Sequence, residues 1–121
     1  MHELSLCMNL IDQLSGLVRQ HGAISVARLE VEVGALCGVE AQLLEDAFSL
    51  ARLGTVAEQA ELLTRVVEPR VRCRQCQAEA NTPPNQLFCP ACSSLNTDLV
   101  QGQALILARV ELVRDGPATR H

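Results

Sequence analysis

The sequence predicts an α+β fold in which two helices pack on a three-stranded sheet, with a small four-cysteine module inserted between the second and third strands. Three observations indicate this fold. Two segments carry apolar residues at helical spacing, three others are aliphatic or alternating as strands are, and four of the six cysteines form two close pairs. A chain of 121 residues has room for one hydrophobic core and a small satellite.

The first helix is expected over residues 3–19, because apolar residues recur there at intervals of three and four. His21-Gly22 follows as a stop signal. A strand is then expected over residues 26–33, where aliphatic and charged residues alternate. Each of these elements has one face suited to a core and one suited to water.

The second helix is expected over residues 40–53, with Gly54 as its terminating residue. A second strand is expected over residues 62–71, which are rich in Leu and Val, with Pro69 weakening its end or marking a sheet edge. The third strand follows Gly102, where the run ALILARVELV alternates again.

Composition changes sharply between the second and third strands. The segment from 73 to 98 contains four Cys and very few aliphatic residues, so it cannot bury a core unaided. We therefore expect an α/β domain formed by residues 1–71 together with 100–115. Residues 72–99 form a separate metal-binding domain, and residues 116–121 form a flexible tail.

Charge and composition exclude several classes of function. The net charge is −4, all basic residues are Arg, and the only aromatic residues are two Phe, so nucleic acid and anionic membranes are poor partners. No apolar stretch is long enough to span a bilayer, and the first residues do not resemble a secretory leader. We therefore expect a cytoplasmic protein, in which cysteines serve metal or redox chemistry rather than disulfides.

The pairs Cys73/Cys76 and Cys89/Cys92 predict a structural zinc site. Two residues between cysteines let one tight turn present both thiolates to the same ion, and two such turns complete a tetrahedron. Four sulfur ligands would leave no open coordination position, so this zinc is expected to be structural rather than catalytic. A mononuclear iron site, two disulfides and a thioredoxin-like dithiol are less favoured alternatives.

The other two cysteines carry no clear chemistry. Cys7 lies on the apolar face of the first helix and is expected to be a small buried hydrophobe, while Cys37 lies in a loop without a neighbouring base. His21 is expected to be a solvated residue at a helix end, and His121 is terminal. No pairing of base and nucleophile is visible, so the chain is not expected to be an enzyme.

The amino terminus allows two interpretations. One is a frayed end that contains a single histidine. In the other, the amine of Met1, the amide nitrogen of His2 and the His2 imidazole close fused chelate rings on one cation. Planar nitrogen donors favour Ni(II) or Cu(II) over Zn(II), and Glu3 could complete or orient the shell.

Several of these features together resemble the HypA/HybF family of hydrogenase nickel-maturation proteins. They are MHE at residue 1, the helix opening LSLC, the segments VEVGALCGVE and AFSLARLGTVAEQAEL, the two cysteine pairs, and the closing alternating strand. The resemblance covers nearly the whole chain. It implies a nickel metallochaperone with a nickel-binding α/β domain and a zinc-binding domain.

The resemblance also implies residues and partners. His2 would be the principal nickel ligand, aided by the Met1 amine, with Glu3 beside it and the acidic Glu40 approaching the metal. Nickel would be held transiently and passed on with the nickel-handling GTPase HypB to the large-subunit precursor of [NiFe]-hydrogenase; a homodimer is a further candidate assembly. Gln77 and Ser93 stand where some members carry histidine, which favours hydrogenase over urease service.

Two alternatives from other classes stay open. A zinc-ribbon scaffold or interaction module without a nickel role would bind one metal per chain and would not be sensitive to changes at its amino terminus. A thiol oxidoreductase would use Cys73 and Cys76 as a metal-free dithiol.

Overall fold

The computed structural model of the chain describes residues 2–114, without the side chain of His2. Within that range the protein is an α+β structure, which confirms the predicted fold class. The tail predicted at residues 116–121 lies outside the described residues. The elements are α1 (His2–Gln20), β1 (Ser25–Gly34), α2 (Ala41–Ala51), β2 (Glu61–Val67), β3 (Arg70–Cys73), β4 (Glu79–Asn81), β5 (Thr97–Gln101) and β6 (Leu105–Val113).

The strands form two three-stranded sheets. In the first sheet the order is β2-β1-β6, which brings together the strands predicted on either side of the cysteine-rich segment. In the second the order is β4-β3-β5, with β3 antiparallel to both neighbours. The short strands β4 and β5 were not predicted, because three to five residues among cysteines and prolines carry little periodic signal.

The predicted strand over residues 62–71 is wrong as one element. It is divided into β2, which ends at Val67, and β3, which begins at Arg70 and belongs to the other sheet. Pro69 lies between them, fully buried. Gly102 lies against this proline with a φ of +102°, and a Cβ at Gly102 would lie 2.6 Å from the Pro69 Cα. Pro69 has no backbone N–H to donate to a neighbouring strand, which accounts for the break between β2 and β3.

The described residues form two compact units by their internal contacts, one from residues 2–31, 40–64 and 107–114 and the other from residues 32–39 and 65–106. In the first unit α1 packs against α2, and both helices are amphipathic. Aliphatic residues fill the core around a single aromatic ring, as expected from a composition with two Phe. The buried apolar residues of this unit are Cys7, Leu10, Ile11, Leu14, Val18, Val26, Leu29, Val31, Leu44, Phe48, Ala57 and Ala60.

The second unit contains the cysteine-rich segment. Its buried side chains are few, and two of them are cysteines: Val33, Pro69, Val71, Cys73, Thr82 and Cys89. So small an apolar core supplies little folding free energy, which makes a bound metal the natural source of the remainder. No helix within residues 2–114 is long and apolar enough to cross a membrane.

Candidate metal centre

The four paired cysteines converge on one point. The Sγ atoms of Cys73, Cys76, Cys89 and Cys92 all lie within 4.8 Å of one another. Two of the distances, Cys73 to Cys92 and Cys76 to Cys89, are 3.6 and 3.5 Å. A tetrahedral zinc with Zn–S bonds of about 2.3 Å has S···S edges of about 3.8 Å, so the spacing fits a single such ion. All six cysteines are free thiols, and the predicted disulfide alternative is not formed.

The first turn of the site follows directly from the end of β3. The Cys73 amide donates to the Ala78 carbonyl at 2.8 Å, and the Gln77 amide donates to the Cys73 carbonyl at 3.0 Å. These bonds close a tight loop that carries Cys73 and Cys76 on the same side. Gln77 completes the loop with a φ of +66°, in the left-handed region that normally favours glycine.

The second turn repeats the first, sixteen positions later. The Cys89 amide donates to the Ser94 carbonyl at 2.9 Å, and the Ser93 amide donates to the Cys89 carbonyl at 2.7 Å. Ser93 has a φ of +64°, matching its counterpart in the first turn. The same backbone loop therefore occurs twice, as a paired-turn metal site requires.

In each turn the first cysteine is buried and is favoured as a thiolate. The backbone N–H groups of Cys76 and Gln75 approach the Cys73 sulfur at 3.4 and 3.3 Å, and they lower the pKa of the Cys73 thiol to about 6 although burial opposes them. The backbone N–H of Cys92 likewise lowers the pKa of the Cys89 thiol. Amides that stabilise negative sulfur prepare the site for a cation.

The second cysteine of each turn is exposed and holds its proton more tightly. The backbone N–H of Ser94 acts to lower the pKa of Cys92, but the hydrogen-bonded Cys73 and partial desolvation raise it to about 12. The pKa of Cys76 is raised as well. Without a cation the four thiols therefore share protons, and a divalent ion would displace them.

Arginines on β3, together with Arg74 directly after its last residue, tie this segment to the strands on both sides. The Arg72 Nε donates to Glu79 on β4 at 2.8 Å, and the Arg74 Nε donates to Asp98 on β5 at 3.0 Å. Arg72 and then Arg70 hold the pKa of the Glu79 carboxyl below its usual range, and Arg74 does the same for Asp98. These pairs are exposed, so each contributes modestly to stability while fixing the register of the strands that carry the turns.

Among the side chains that the structure describes, the four cysteines are the only cluster of His, Cys, Asp or Glu that could hold a metal ion. Four sulfur donors satisfy a tetrahedral ion completely, so the centre offers no position for a substrate. Such a donor set is typical of structural metal sites.

The residues predicted at the nickel site are placed only in part. His2 is the first residue of α1, and Met1 lies outside the described residues. Glu3 is half-buried in the first helical turn. Burial of the Cys7 thiol and, to a smaller extent, the negative charge of Glu3 raise the pKa of that thiol to about 11. Glu40 is exposed at the start of α2 and makes no side-chain capping hydrogen bond.

The two cysteines outside the cluster have different surroundings. Cys7 is fully buried, and its thiol donates to the Leu44 carbonyl of α2 at 3.4 Å, which makes it a packing residue as predicted. Cys37 is half-buried, with its sulfur 3.9 Å from the Val39 carbonyl. A raised pKa and full burial leave Cys7 unreactive.

Sequence reasoning missed the ion pairs of β3 and the two left-handed residues. The alternating arginines of the run PRVRCR could have indicated one charged face on a short strand. No sequence pattern marked the left-handed conformation of Gln77 and Ser93, because Gln and Ser replace the glycine that is usual in such a turn.

The fold and the cysteine cluster together define a small α+β metal-binding protein. Comparison with known proteins gives the family. The HypA family, described as hydrogenase/urease nickel incorporation metallochaperones, matches residues 1–112, and the chain belongs to this family. The resemblance noted in the sequence is thereby confirmed.

Individual relatives agree along nearly their whole length. The hydrogenase maturation factor HypA of Aquifex aeolicus is 38% identical over 115 residues, covering 95% of this chain and all of the relative. HypA of Nitrosospira multiformis is 37% identical, and the alignment covers 93% of this chain and 98% of that relative.

Two solved structures share the fold. The solution structure of the nickel metallochaperone HypA from Helicobacter pylori has a TM-score of 0.69 and 21% identity, covering 93% of this chain and 98% of its own. A second HypA solution structure has a TM-score of 0.74 and 23% identity, covering 95% and 98%. At these identities the likeness supports the architecture alone.

Proposed function

We propose that this chain is a nickel carrier that binds Ni(II) at its amino terminus and delivers it for the maturation of [NiFe]-hydrogenase. The observation that carries the proposal is membership of the HypA family from the first residue onward, which includes Met1-His2-Glu3. The ligands in this proposal are the Met1 amine, the His2 amide nitrogen and the His2 imidazole, with Glu3 completing or orienting the shell. Planar nitrogen donors of this kind suit Ni(II).

The start of α1 supports this assignment. Because the helix begins at His2, the amide nitrogen of His2 has no acceptor within the helix and is available to a metal. The positive end of the helix dipole favours a deprotonated amide but opposes a cation, and Glu3 in the first turn offsets that repulsion. These opposing effects limit the affinity for nickel, which suits a carrier because a carrier must release its metal.

Glu40 is proposed as an auxiliary acidic group. Cys7 contacts the backbone of Leu44, so the two helices meet near their first turns. Glu40 is the residue directly before α2, and its exposed carboxylate makes no capping hydrogen bond that would occupy it.

The four cysteines are proposed to hold a structural Zn(II). The donor set, the spacing of the sulfur atoms and the repeated turns favour this ion, and a small buried core gives the metal a folding role. We further propose a non-catalytic, cytoplasmic protein that works with the GTPase HypB and the large-subunit precursor of hydrogenase. The domain assignment predicted from sequence is part of this proposal, with nickel in residues 1–71 and 100–115 and zinc in residues 72–99.

Calorimetric titration of the zinc-loaded protein with Ni(II) tests the nickel site. The protein is prepared with Met1 as its first residue, and its intact mass verifies the free amine. His2→Ala and a form with one residue added before Met1 should each lose nickel affinity by at least tenfold while keeping zinc. Glu40→Gln should weaken binding less, and Glu58→Gln, which lies outside the proposed site, serves as the matched control.

Two outcomes would refute the proposal. Nickel affinity unchanged by both amino-terminal changes would exclude the chelate and favour a zinc-ribbon scaffold without a nickel role. Loss of zinc on changing His2 would show that the two metals are not held by separate ligand sets.

A further inference from the structure

Helix α2 carries large apolar residues on two different faces. Leu44 and Phe48 are buried, as the core-facing residues of a surface helix should be. Leu43 and Leu50 lie on another face of the same helix, where they are 46% and 71% exposed. Leu53, in the turn that follows the helix, is 61% exposed. The core of the first unit therefore accounts for only one of these two apolar faces.

The three exposed leucines lie along one line on the surface. Together with Asp46 they recur at intervals of three and four residues, which places them on a single helix face. The Leu53 amide donates to the Leu50 carbonyl at 3.4 Å, so the backbone is still turning where the helix ends. We call Leu43, Asp46, Leu50 and Leu53 the outer stripe of α2. It is about 15 Å long.

Helix α1 does not share this feature. Among its described side chains, Met8 is the only large apolar residue on the exposed face. Single exposed apolar residues are ordinary on protein surfaces, whereas a continuous apolar stripe marks an interaction surface. The other exposed residues of α1 are polar or charged: Ser5, Asn9, Asp12, Gln13, Arg19 and Gln20.

Asp46 places one negative charge inside the outer stripe. Its carboxylate is exposed and accepts a hydrogen bond from the Gln42 side chain at 3.0 Å, and α2 contains no basic residue. The neighbouring Glu45 is engaged elsewhere, because its carboxylate accepts a hydrogen bond from the Thr64 hydroxyl on β2. An apolar partner would remove water from Asp46 without supplying a cation, which costs free energy. The stripe therefore favours a partner that brings a positive charge to this position.

A second copy of this chain does not supply that charge from its own outer stripe. The basic residue next to the stripe is Arg52, and its guanidinium Nη1 donates to the Ala60 carbonyl at 3.0 Å. Two outer stripes placed face to face would bury both Asp46 carboxylates without a cation. One polar residue within an apolar seam commonly selects the partner of a helix in this way.

We propose that the outer stripe of α2 docks a helix of another protein, in which aliphatic residues face the three leucines and a Lys or Arg faces Asp46. An amphipathic helix with aliphatic residues three and four positions apart matches the spacing of the stripe. So short a contact predicts a weak, reversible complex. The stripe lies on α2 and the turn after it and includes none of the proposed nickel ligands, so docking is independent of nickel.

Two synthetic peptides of about 18 residues test the proposal. Both carry leucine at alternating intervals of three and four and a lactam bridge on the far face that holds the helix, and they differ only in one central position of the apolar face, Lys or Glu. Fluorescence anisotropy measures their binding to zinc-loaded, nickel-free protein. The wild type should bind the Lys peptide about tenfold more tightly. Asp46→Lys should reverse that preference, which a merely misfolded variant would not do.

A leucine variant tests the apolar part of the stripe. Leu50→Gln should weaken binding of the Lys peptide by about tenfold, and the exposure of Leu50 means that the change leaves the core intact. Leu95→Gln is the matched control, because Leu95 is 83% exposed but lies in the cysteine-rich segment. Its binding should equal that of the wild type. Circular dichroism and zinc content verify that each variant is folded.

Four results would overturn the proposal. The first is absence of binding of the Lys peptide at about 1 mM protein. The second is a peptide preference that Asp46→Lys leaves unchanged, and the third is binding by Leu50→Gln as tight as that of the wild type. The fourth comes from sedimentation velocity without peptide. Self-association of the wild type that Leu50→Gln abolishes would assign the stripe to a second copy of this chain.

Discussion

Replacement of Gly102 by alanine should strongly destabilise the zinc-bound protein. Gly102 is buried and has a φ of +102°, where an L side chain is strained, and the added Cβ would lie 2.6 Å from the Pro69 Cα and 2.9 Å from its nitrogen. Both are backbone atoms, so rotation of a side chain cannot relieve the contact. Backbone strain of about 1–3 kcal/mol and overpacking of a similar size together give about 4 kcal/mol.

The assay is urea unfolding of the zinc-loaded protein, followed by circular dichroism and by zinc released to a chromogenic chelator. The free energy of unfolding extrapolated to zero urea should fall by about 4 kcal/mol, which corresponds to a melting temperature about 15 °C lower in a chain of this size. Zinc should be released at a lower urea concentration than from the wild type, because Gly102 and the cysteines belong to the same unit.

Gly16→Ala is the matched control for this prediction. Gly16 lies inside α1, and a Cβ there would have no neighbour within 4 Å. The same glycine-to-alanine change should therefore stabilise the protein by about 0.5–1 kcal/mol, through helix propensity alone. Stability of Gly102→Ala within about 0.5 kcal/mol of the wild type, inside the usual range for surface changes, would refute the reasoning.

Three further predictions concern the cysteine site. Gln77→Gly and Ser93→Gly should each stabilise the zinc-bound form to urea by about 0.5–1 kcal/mol, because glycine removes left-handed strain; lower stability of both would contradict the turn geometry. Zinc uptake should release fewer than four protons above about pH 6, because Cys73 is already ionised there, and four protons below that pH. The zinc affinity should therefore fall more steeply with acidification below about pH 6. Calorimetry in buffers of different ionisation enthalpy measures the number of protons released. A double-mutant cycle of Arg74→Met and Asp98→Asn, measured by urea unfolding, should give a coupling free energy below about 1 kcal/mol, because the pair is exposed. A larger coupling would show that the pair is shielded from water.

The elements that the sequence predicted well are those whose apolar and polar residues repeat regularly within the element itself. The amphipathic spacing of α1 and α2 and the alternation of β1 and β6 are recorded in neighbouring residues, so the predicted ends of these elements lie within two residues of the observed ends. The four cysteines were found because a shared ion imposes their spacing.

The features that were missed depend on distant partners. Pro69 was recognised as a weak point in a strand, but its close contact with Gly102 joins residues 33 positions apart in the sequence. The ion pair of Arg74 with Asp98 spans 24 positions and depends on the pairing of β3 with β5. The nickel ligands at Met1 and His2 stay a prediction from sequence and family.

Native mass spectrometry of the zinc-loaded protein, titrated with Ni(II), tests the central claim most directly because it counts both ions in one spectrum. The chain that begins with a free Met1 amine should take up one nickel beside one zinc. The same chain with a blocked amine should keep its zinc and lose its nickel. Equal nickel occupancy in the free and blocked forms would contradict the account.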